Sequence, residues 1–430
     1  MSYLKAFNNF LWTYPILLLL IGTHIFFTIR LHFPQRKVFY GIKLSVKNEA
    51  DDGNSLSGFA ALTTTLAATL GTGNIVGVSL AVALGGPGAI FWCWITGILG
   101  MATSYAECYL SLIYRKKIEP NTYEGGPMYV LRDGLHKKWL ATLYACCTIL
   151  ASLCIGCATQ ANAMTEATTA AWNLSPMLVG IIASILCGFV IIGGLKTIGN
   201  VCSTIVPIMG FGYILCCFVL LYINRNEFLS AIQLILKSAF QSNAALGGFS
   251  GSTIQMAARH GIARGLYTNE AGLGSAAIAA GHANTKNPKK QALIQMTATF
   301  WDTVIMCAIT GIVIVTEGIK HPCAFEYSSP GSYTTVAFSS LPCGNIILTL
   351  ALIAFAMATL IGWSFFGERA LHFLCGEHYK KTYQIAYLFM IFLGAIMSLD
   401  LVWEMTDLIN ACILIPNITA LFLLHQKIKC

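Results

Sequence analysis

The sequence predicts an all-α polytopic membrane protein with eleven transmembrane helices, and three observations support this fold class. Of the 430 residues, 56% are hydrophobic and only 10% are charged, whereas soluble globular proteins carry about 25% charged residues. The apolar runs are long enough for helices that each cross the membrane with about 20 residues. They do not alternate with polar residues, which favours helices over a β-barrel. This composition excludes a soluble enzyme, a disordered chain and a nucleic-acid-binding module.

The predicted helices follow one another with short connections. The first apolar run, residues 10–29, is predicted to be a retained N-terminal helix, because no small-residue cleavage site follows it. Ten further runs lie at residues 56–84, 89–114, 139–171, 176–194, 201–223, 244–263, 292–316, 342–366, 382–399 and 401–424. An amphipathic stretch at residues 227–240 is expected to lie on the outer surface. Residues 265–281, rich in glycine and alanine, are predicted to form a cytoplasmic loop, either a moving gate or a structured closure of the inner mouth.

The distribution of positive charge predicts that the N-terminus lies outside and the C-terminus inside. With eleven helices in this orientation, 22 of the 26 Lys and Arg residues fall in inner segments. Cytoplasmic loops are generally enriched in these residues. One helix too many or too few would invert every later loop, so the same distribution supports the helix count.

Two of the predicted helices contain glycine-rich stretches that indicate interruptions. Gly71–Asn74 lies near the middle of the second run, and Gly247–Gly251 lies in the seventh. Glycine weakens a helix by roughly 1 kcal/mol relative to alanine, and polar side chains alternate with the glycines in the first stretch. An alternative interpretation is close helix packing, which the spacing of Gly73 and Gly77 also fits.

The positions of the two interruptions predict an inverted repeat. Without the first helix, the other ten divide into five at residues 56–223 and five at residues 244–424, and each half opens with its interrupted helix. Because five is odd, the halves enter the membrane from opposite sides, as in many secondary transporters. Free N–H groups at such interruptions bind carboxylates, and free carbonyl groups bind small cations. The whole chain is therefore predicted to be one transporter domain.

The chain also resembles a known family in stretches spread over nearly its whole length: GTGNIVGVSLAVALGGPGAIFW at 71–92, GMATSYAE at 100–107, GGPMY at 125–129, ARGLYTNEAGLGSA at 263–276, FWDT at 300–303, GWSFFGE at 362–368 and PN at 416–417. These stretches closely resemble the alanine or glycine:cation symporters, also called sodium:alanine symporters. The resemblance implies a LeuT-like fold of ten core helices plus one N-terminal helix. It further implies import of L- or D-alanine, glycine or a similar small amino acid with Na⁺ by alternating access, across a bacterial or archaeal plasma membrane.

The resemblance implies eight substrate-binding residues, namely Thr72, Gly73, Asn74, Gln160, Gly248, Phe249, Thr253 and Trp363. The first three would bind the substrate carboxylate, and Gln160 would help to hold its ammonium and polar end. The backbone at Gly248 and the ring of Phe249 would face the amino group and side chain. Thr253 and Trp363 would form walls of the pocket.

The resemblance also implies a sodium site formed by the carbonyls of Ala67 and Leu70 and the hydroxyl of Thr359. The family usually carries a Ser-Thr pair where this chain has Ala358 and Thr359. One hydroxyl ligand is therefore missing, and proton-coupled or uncoupled transport stays open as an alternative. Cys157 stands where the family often has Asn, which leaves the exact substrate open.

Asp302 lies near the middle of the eighth predicted helix. An intramembrane carboxylate is expected to face the helix bundle and to have a function. Two roles are open for it, namely hydrogen bonding to a helix end or hydroxyl, and proton transfer during coupling. Cys323 and Cys343 lie near one outward loop, where a disulfide is also open.

Two other functional classes, an ion channel and an intramembrane enzyme, fit the sequence less well than a transporter does. An ion channel needs a filter of repeated carbonyls or rings of charge, and the two glycine-rich stretches differ from each other in sequence. An intramembrane enzyme needs a catalytic constellation, and neither H-E-x-x-H nor G-x-S-x-G occurs in the chain. A transporter with a small amino acid, a coupling Na⁺ or H⁺ and membrane lipid as its partners is the preferred prediction, with a monomer favoured.

Overall fold

The computed structural model describes residues 7–8, 10–12, 15–46, 56–119, 122–241, 253–397 and 400–430, and most of these residues are helical. The α-helices are α1 (Pro15–Arg30), α2 (Val38–Val46), α3 (Gly58–Thr69), α4 (Val76–Gly85), α5 (Gly88–Ile113), α6 (Pro127–Tyr129), α7 (Lys138–Trp172), α8 (Pro176–Ile192), α9 (Gly194–Ile223), α10 (Arg225–Phe240), α11 (Ile254–Asn269), α12 (Ser275–Gly281), α13 (Pro288–Lys320), α14 (Pro322–Glu326), α15 (Tyr333–Phe338), α16 (Gly344–Cys375), α17 (Lys380–Ile396) and α18 (Asp400–Leu423). Helices α7 and α13 contain π-helical turns at Cys154–Ala158 and Phe300–Cys307.

The predicted all-α membrane class is confirmed. In the described part of the chain, six helices are long and apolar enough to cross a membrane, and the bent pair α3–α4 makes a seventh. Strands β1 (Lys116–Glu119) and β2 (Thr122–Glu124) form one antiparallel hairpin after α5, with Lys117 opposite Tyr123. Cys323 and Cys343 are both free and exposed, so the structure does not join them.

The predicted interruption at Gly71–Asn74 is confirmed. Helix α3 ends at Thr69, a 3₁₀ turn follows at Thr72–Asn74, and α4 continues at an angle of 59°. The side-chain oxygen of Asn74 accepts a hydrogen bond of 3.1 Å from the Gly71 N–H, which stabilises the turn. A Cβ atom at Gly71 would lie 2.7 Å from Oγ1 of Thr359, so no larger residue fits here without displacing its neighbours. The second predicted interruption, Gly247–Gly251, lies outside the described residues.

A second broken helix is present elsewhere, and it is formed by α11 and α12. Backbone with positive φ separates the two helices: φ is 55° at Glu270, 104° at Gly272 and 80° at Gly274. Positive φ is unfavourable for residues with a side chain, which explains why glycine occupies two of the three positions. We call residues 270–274 the second break.

Contacts with α5 show that α11 and α12 form a single path that runs parallel to α5. A Cβ atom at Gly261 would lie 2.3 Å from the Ala89 carbonyl oxygen, and one at Gly265 would lie 2.8 Å from Thr96. Further along the same helix, the Ser111 hydroxyl donates to the Ala277 carbonyl at 2.7 Å. From residue 89 to residue 111, α5 rises about 33 Å at 1.5 Å per residue. The α11–α12 pair therefore has the length of a membrane-spanning helix.

This arrangement corrects the sequence prediction for residues 244–281. The predicted loop at 265–281 is wrong, because α11 extends to Asn269 and the broken helix continues to Gly281. The predicted seventh helix at 244–263 is helical from Ile254 onwards, and most of its earlier residues lie outside the described part of the chain. Arg259 and Arg264, which the prediction counted among inner loop charges, lie within α11. Because of these polar residues the segment resembled a loop, although α11 is a helix that packs against α4 and α5.

The second break is held by hydrogen bonds from three different helices. Glu107 of α5 accepts a bond of 2.8 Å from the Gly272 N–H, and Asn417 of α18 donates one of 2.9 Å to the Gly272 carbonyl. The Tyr144 hydroxyl of α7 donates to the Leu273 carbonyl at 2.7 Å. Exposed backbone at this depth needs such partners. The additional helix α1 also packs on α5, where Nδ1 of His24 lies 2.7 Å from the Thr103 hydroxyl.

An ion-pair cluster attaches the hairpin to the end of α16. The Glu124 carboxylate accepts a 2.7 Å hydrogen bond from the Tyr129 hydroxyl and lies 2.7 Å from Nδ1 of His372 and 3.6 Å from Nη1 of Arg369. Burial alone would raise the pKa of Glu124, but the hydrogen bonds from His372 and Tyr129 outweigh it and lower this pKa to about 2. The hairpin therefore carries a buried, ionised carboxylate.

Candidate functional site

A small cavity of about 10 Å³, roughly enough for one water molecule, lies where the two helix breaks meet. Its described walls come from the α3–α4 break, α7, α11 with the second break, and α16. The lining residues are Ala68, Thr69, Gly71, Gly73, Ile155, Gln160, Tyr267, Thr268, Glu270, Thr359 and Trp363. A cavity bounded by two interrupted helices is the arrangement in which secondary transporters bind substrate.

Residues 70–74, between α3 and α4, form the first break, and hydrogen-bond donors of this break face Gln160. The N–H and the hydroxyl of Thr72 both donate to the Gln160 amide oxygen, at 3.2 Å and 3.0 Å. Gln160 is buried, and its own amide group donates to the Ile155 carbonyl at 3.4 Å, next to the π-helical turn of α7. The structure therefore brings together the Thr72 and Gln160 groups that the sequence assigned to substrate, and their donors are of the kind that bind a carboxylate.

Gly73 and Gly77 also pack closely against another helix, as the alternative interpretation expected. A Cβ atom would lie 1.9 Å from Cζ of Arg264 at Gly77, and 2.4 Å from Nη2 of Arg264 at Gly73. The two glycines thus form a notch that holds a buried guanidinium group, which also lies 4.4 Å from the centre of the Tyr267 ring. Helix interruption and close packing are both present in this segment.

Asn74 connects the first break to Asp302. Its amide donates to Oδ1 of Asp302 at 2.7 Å, while the Thr303 hydroxyl donates to Oδ2 at 2.6 Å. Thr303 in turn lies 3.3 Å from the hydroxyl of Thr268 in α11. Asp302 is fully buried and lies in the π-helical turn of α13. The hydrogen-bonding role expected of Asp302 is therefore present, and it links α4, α11 and α13.

Oxygen atoms suited to a cation also lie beside the first break. The Thr359 hydroxyl lies 3.4 Å from the Leu70 carbonyl and donates to the Phe355 carbonyl at 3.0 Å. Leu70 is the C-terminal cap of α3, where the helix dipole is negative, and Ala67 lies one turn earlier on the same helix. The structure thus brings Leu70 and Thr359 together as the resemblance implied.

Trp363 and Glu270 form a further wall, and the sequence analysis missed the second of them. The Trp363 indole N–H donates to Oε1 of Glu270 at 3.1 Å, and the Ser275 hydroxyl donates to Oε2. Trp363 packs directly on Gly156, where a Cβ atom would lie 2.1 Å from the Trp363 Cβ atom. The sequence signal for Glu270 was an acidic residue followed by glycines at 272 and 274, in a segment assigned to a loop.

Several other sequence-predicted positions lie away from the cavity or outside the described residues. Thr253 is exposed at the start of α11, where its side chain accepts a 3.2 Å hydrogen bond from the Met256 N–H. It therefore caps a helix, a position that threonine favours, and it is not among the described residues that line the cavity. Cys157 is directed towards the Tyr387 carbonyl at 3.6 Å. Gly248 and Phe249 lie outside the described residues.

Comparison with known proteins agrees with this architecture. The fold is similar to that of MhsT, solved in complex with L-phenylalanine, with a TM-score of 0.61 at 14% identity over 86% of this chain and 90% of MhsT. The sequence is 42% identical over 429 residues to an uncharacterized transporter of Haemophilus influenzae, covering 99% of this chain and 94% of the relative. It is 41% identical over 431 residues to the sodium/alanine symporter AgcS of Methanococcus maripaludis, covering 98% and 94%.

The match to a family profile extends over almost every residue. Residues 1–429 match the sodium:alanine symporter family. With two broken helices around one cavity, long apolar helices and this match, the chain belongs to the sodium:alanine symporter family, and it is a membrane transporter and not an enzyme.

Proposed function

We propose that the protein imports a small neutral amino acid, alanine or glycine, together with Na⁺ by alternating access. The observation that carries this proposal is the cavity between the two helix breaks, where donors suited to a carboxylate and oxygen atoms suited to a cation lie beside the first break. The family to which the chain belongs and its similarity to the sodium/alanine symporter of Methanococcus maripaludis support the same ion and a small amino acid substrate.

The substrate carboxylate would bind at the first break. The N–H and hydroxyl of Thr72 already bond to an amide oxygen, that of Gln160, and a carboxylate oxygen can take the same position with stronger, charge-assisted bonds. The positive end of α4, which begins just after Asn74, would add to this attraction. Gln160 would then be released to bond the polar end of the substrate.

Sodium would bind beside the carboxylate, at Leu70, Ala67 and Thr359. Carbonyl groups at the end of an interrupted helix and a nearby hydroxyl are oxygen ligands of the kind used for Na⁺ in such transporters. Ala358 supplies no hydroxyl, so one ligand would come from water or from the substrate. Because cation and carboxylate would lie beside the same turn, each would strengthen the binding of the other, and this provides coupling.

Bulky walls favour a small substrate. Trp363 and Tyr267 close the cavity on two sides, and Ile155 closes it on another. A large side chain would have to displace rings that are packed against Gly156 and Arg264. We therefore assign alanine and glycine rather than aromatic amino acids to this site.

The proposed topology has eleven membrane spans with the N-terminus outside and the C-terminus inside. Ten spans form the two inverted halves at residues 56–223 and 244–424. The first half opens with α3–α4 and the second contains α11–α12, while α1 is additional. During transport one group of helices would rock against the other around the cavity.

Uptake into proteoliposomes tests the proposal. Purified protein should accumulate radiolabelled alanine or glycine faster with an inward Na⁺ gradient than with choline in place of Na⁺. Uptake that follows an imposed pH gradient and ignores Na⁺ would instead establish the proton-coupled alternative. Single-channel currents in planar bilayers would contradict a carrier, as would the absence of gradient-driven uptake for every small amino acid tried.

A further inference from the structure

The second break places one acidic side chain in the wall of the substrate cavity. Glu270 is the C-terminal cap of α11. Its backbone is in the left-handed conformation, and the residue is 4% exposed. Among the described residues that line the cavity, Glu270 alone carries a carboxylate, ammonium or guanidinium group. An ionised carboxylate buried without a cation is costly, so its presence requires a partner or a function.

The described neighbours of Glu270 leave part of its hydrogen-bonding capacity unused. Each carboxylate oxygen accepts one bond, from the Trp363 indole and from the Ser275 hydroxyl. A carboxylate has about four acceptor positions, so two donors do not saturate it. Both donors are neutral, so neither would balance a negative charge on the carboxylate.

The nearby guanidinium group of Arg264 is directed elsewhere. It occupies the notch formed by Gly73 and Gly77 and stacks on Tyr267. Its electrostatic partner is Asp302, which lies beyond Asn74. No ion pair within the described residues therefore neutralises Glu270.

We infer that Glu270 binds the α-ammonium group of the substrate and thereby restricts the site to ligands with a free amine. This inference rests on the proposed function and goes further, because it assigns the substrate cation to a residue of the second break. With the carboxylate at Thr72 and the ammonium at Glu270, the zwitterion lies across the cavity and contacts both broken helices at once. Binding an amino acid would then join the two breaks, whereas a carboxylate without an amine would contact only the first.

Ligand discrimination by the unmodified protein is the first test. Alanine and lactate have the same carboxylate and nearly the same size, and they differ in the ammonium group. In detergent, with Na⁺ present, alanine should stabilise the protein against heat, and lactate should compete at least about 100-fold more weakly, because a charge-assisted hydrogen bond is lost and Glu270 stays unpaired. Equal competition by alanine and lactate would overturn the inference.

Variants separate charge recognition from support of Trp363. E270Q keeps the shape of the side chain and removes its charge, so alanine affinity should fall at least about 10-fold while lactate affinity changes little. E270D keeps the charge and should retain more alanine affinity than E270Q. W363F removes the indole N–H that bonds Glu270 and keeps a ring, so it should change the alanine-to-lactate ratio less than E270Q does.

The outcomes distinguish this inference from the proposed function. If E270Q lowers alanine and lactate binding equally, or if W363F changes the ratio as much as E270Q, Glu270 only positions the tryptophan. If E270Q alters the Na⁺ dependence and leaves the ratio unchanged, Glu270 binds the coupling ion, and the inference is again overturned. If the unmodified protein neither binds nor takes up any small amino acid, the proposed function itself fails. Should E270Q not fold, E270D and the ligand comparison on the unmodified protein still decide the question.

Discussion

At the scale of single residues, the first break was largely predictable and the residues around it only partly. Thr72 and Asn74 were identified from glycine spacing and polarity, and Gln160 and Thr359 from family resemblance, and all four lie around that break. Glu270 was missed. Its contact with Trp363 joins residues 93 positions apart, and nothing in the local pattern of either segment predicts that pairing.

Replacement of Thr359 tests the cation site. T359A removes a hydroxyl that lies 3.4 Å from the Leu70 carbonyl, in a chain that already has Ala358 in place of a second hydroxyl. We expect the apparent Na⁺ affinity for alanine uptake to fall by about 10-fold or more, with uptake recovering partly at high Na⁺.

The matched control for T359A is T349A. Thr349 lies on the same helix and makes the same kind of bond to the carbonyl four residues earlier, at 2.8 Å, as Thr359 does at 3.0 Å. T349A should leave the Na⁺ dependence of uptake unchanged. A T359A protein with unaltered Na⁺ affinity would contradict the assignment of this hydroxyl to the ion.

At the scale of elements, local polarity misled the prediction of the second broken helix. Hydrophobic periodicity identifies helices whose polar residues face water. Helix α11 instead places Arg264 in a notch of α4 and Thr268 beside Thr303 of α13. These polar side chains are buried inside the bundle and do not face water, so the segment reads as a loop although it is a packed helix. The first break escaped this error because long apolar runs lie on both sides of it.

The hairpin that follows α5 should lose stability in acid. The folded pKa of Glu124 is about 2, below its ordinary value of 4.5, so the unfolded chain binds more protons between these values and stability falls as the pH is lowered through this range. Above about pH 4.5 the contribution is complete. E124Q should therefore melt at a lower temperature than the unmodified protein at pH 7, and the difference should shrink as the pH approaches 3.

Asp133 provides the control for E124Q. It forms a more exposed ion pair with Arg132 at 2.8 Å, and exposed pairs contribute little. D133N should hence change the melting temperature in detergent much less than E124Q at pH 7. Melting curves of E124Q and the unmodified protein that stay parallel from pH 7 to pH 3 would contradict the role of Glu124.

At the scale of the whole molecule, length and composition predicted the fold class, and the correction of one helix leaves the proposed count unchanged. Replacing the predicted 244–263 span by α11–α12 keeps the proposed number of spans odd, so the proposed orientation of the termini is unchanged. The break that the structure describes, at Glu270–Gly274, lies about twenty residues after the glycine-rich stretch on which the prediction relied, and that stretch lies outside the described residues. The sequence pattern did not predict the break at Glu270–Gly274.

Thiol labelling of intact cells tests the proposed orientation. Cys323 and Cys343 are exposed near the connection between α13 and α16, and Cys375 is exposed at the other end of α16. A membrane-impermeant maleimide should label the first two from outside and reach Cys375 only after the cells are opened. C323S/C343S should consequently lose most labelling in intact cells, whereas C375S should not. The reverse pattern would place the N-terminus inside.

The attachment of Gly272 and Leu273 has a consequence for how the transporter changes state. Three bonds, from Glu107, Asn417 and Tyr144, end on the backbone of two adjacent residues. Hydrogen bonds weaken steeply with distance and angle, so a small displacement of this loop breaks all three together. Partial displacement of α12 is thus penalised, and a barrier opposes its movement away from the arrangement seen here. A barrier of this kind keeps a solute from slipping through while the protein is neither fully open nor fully shut.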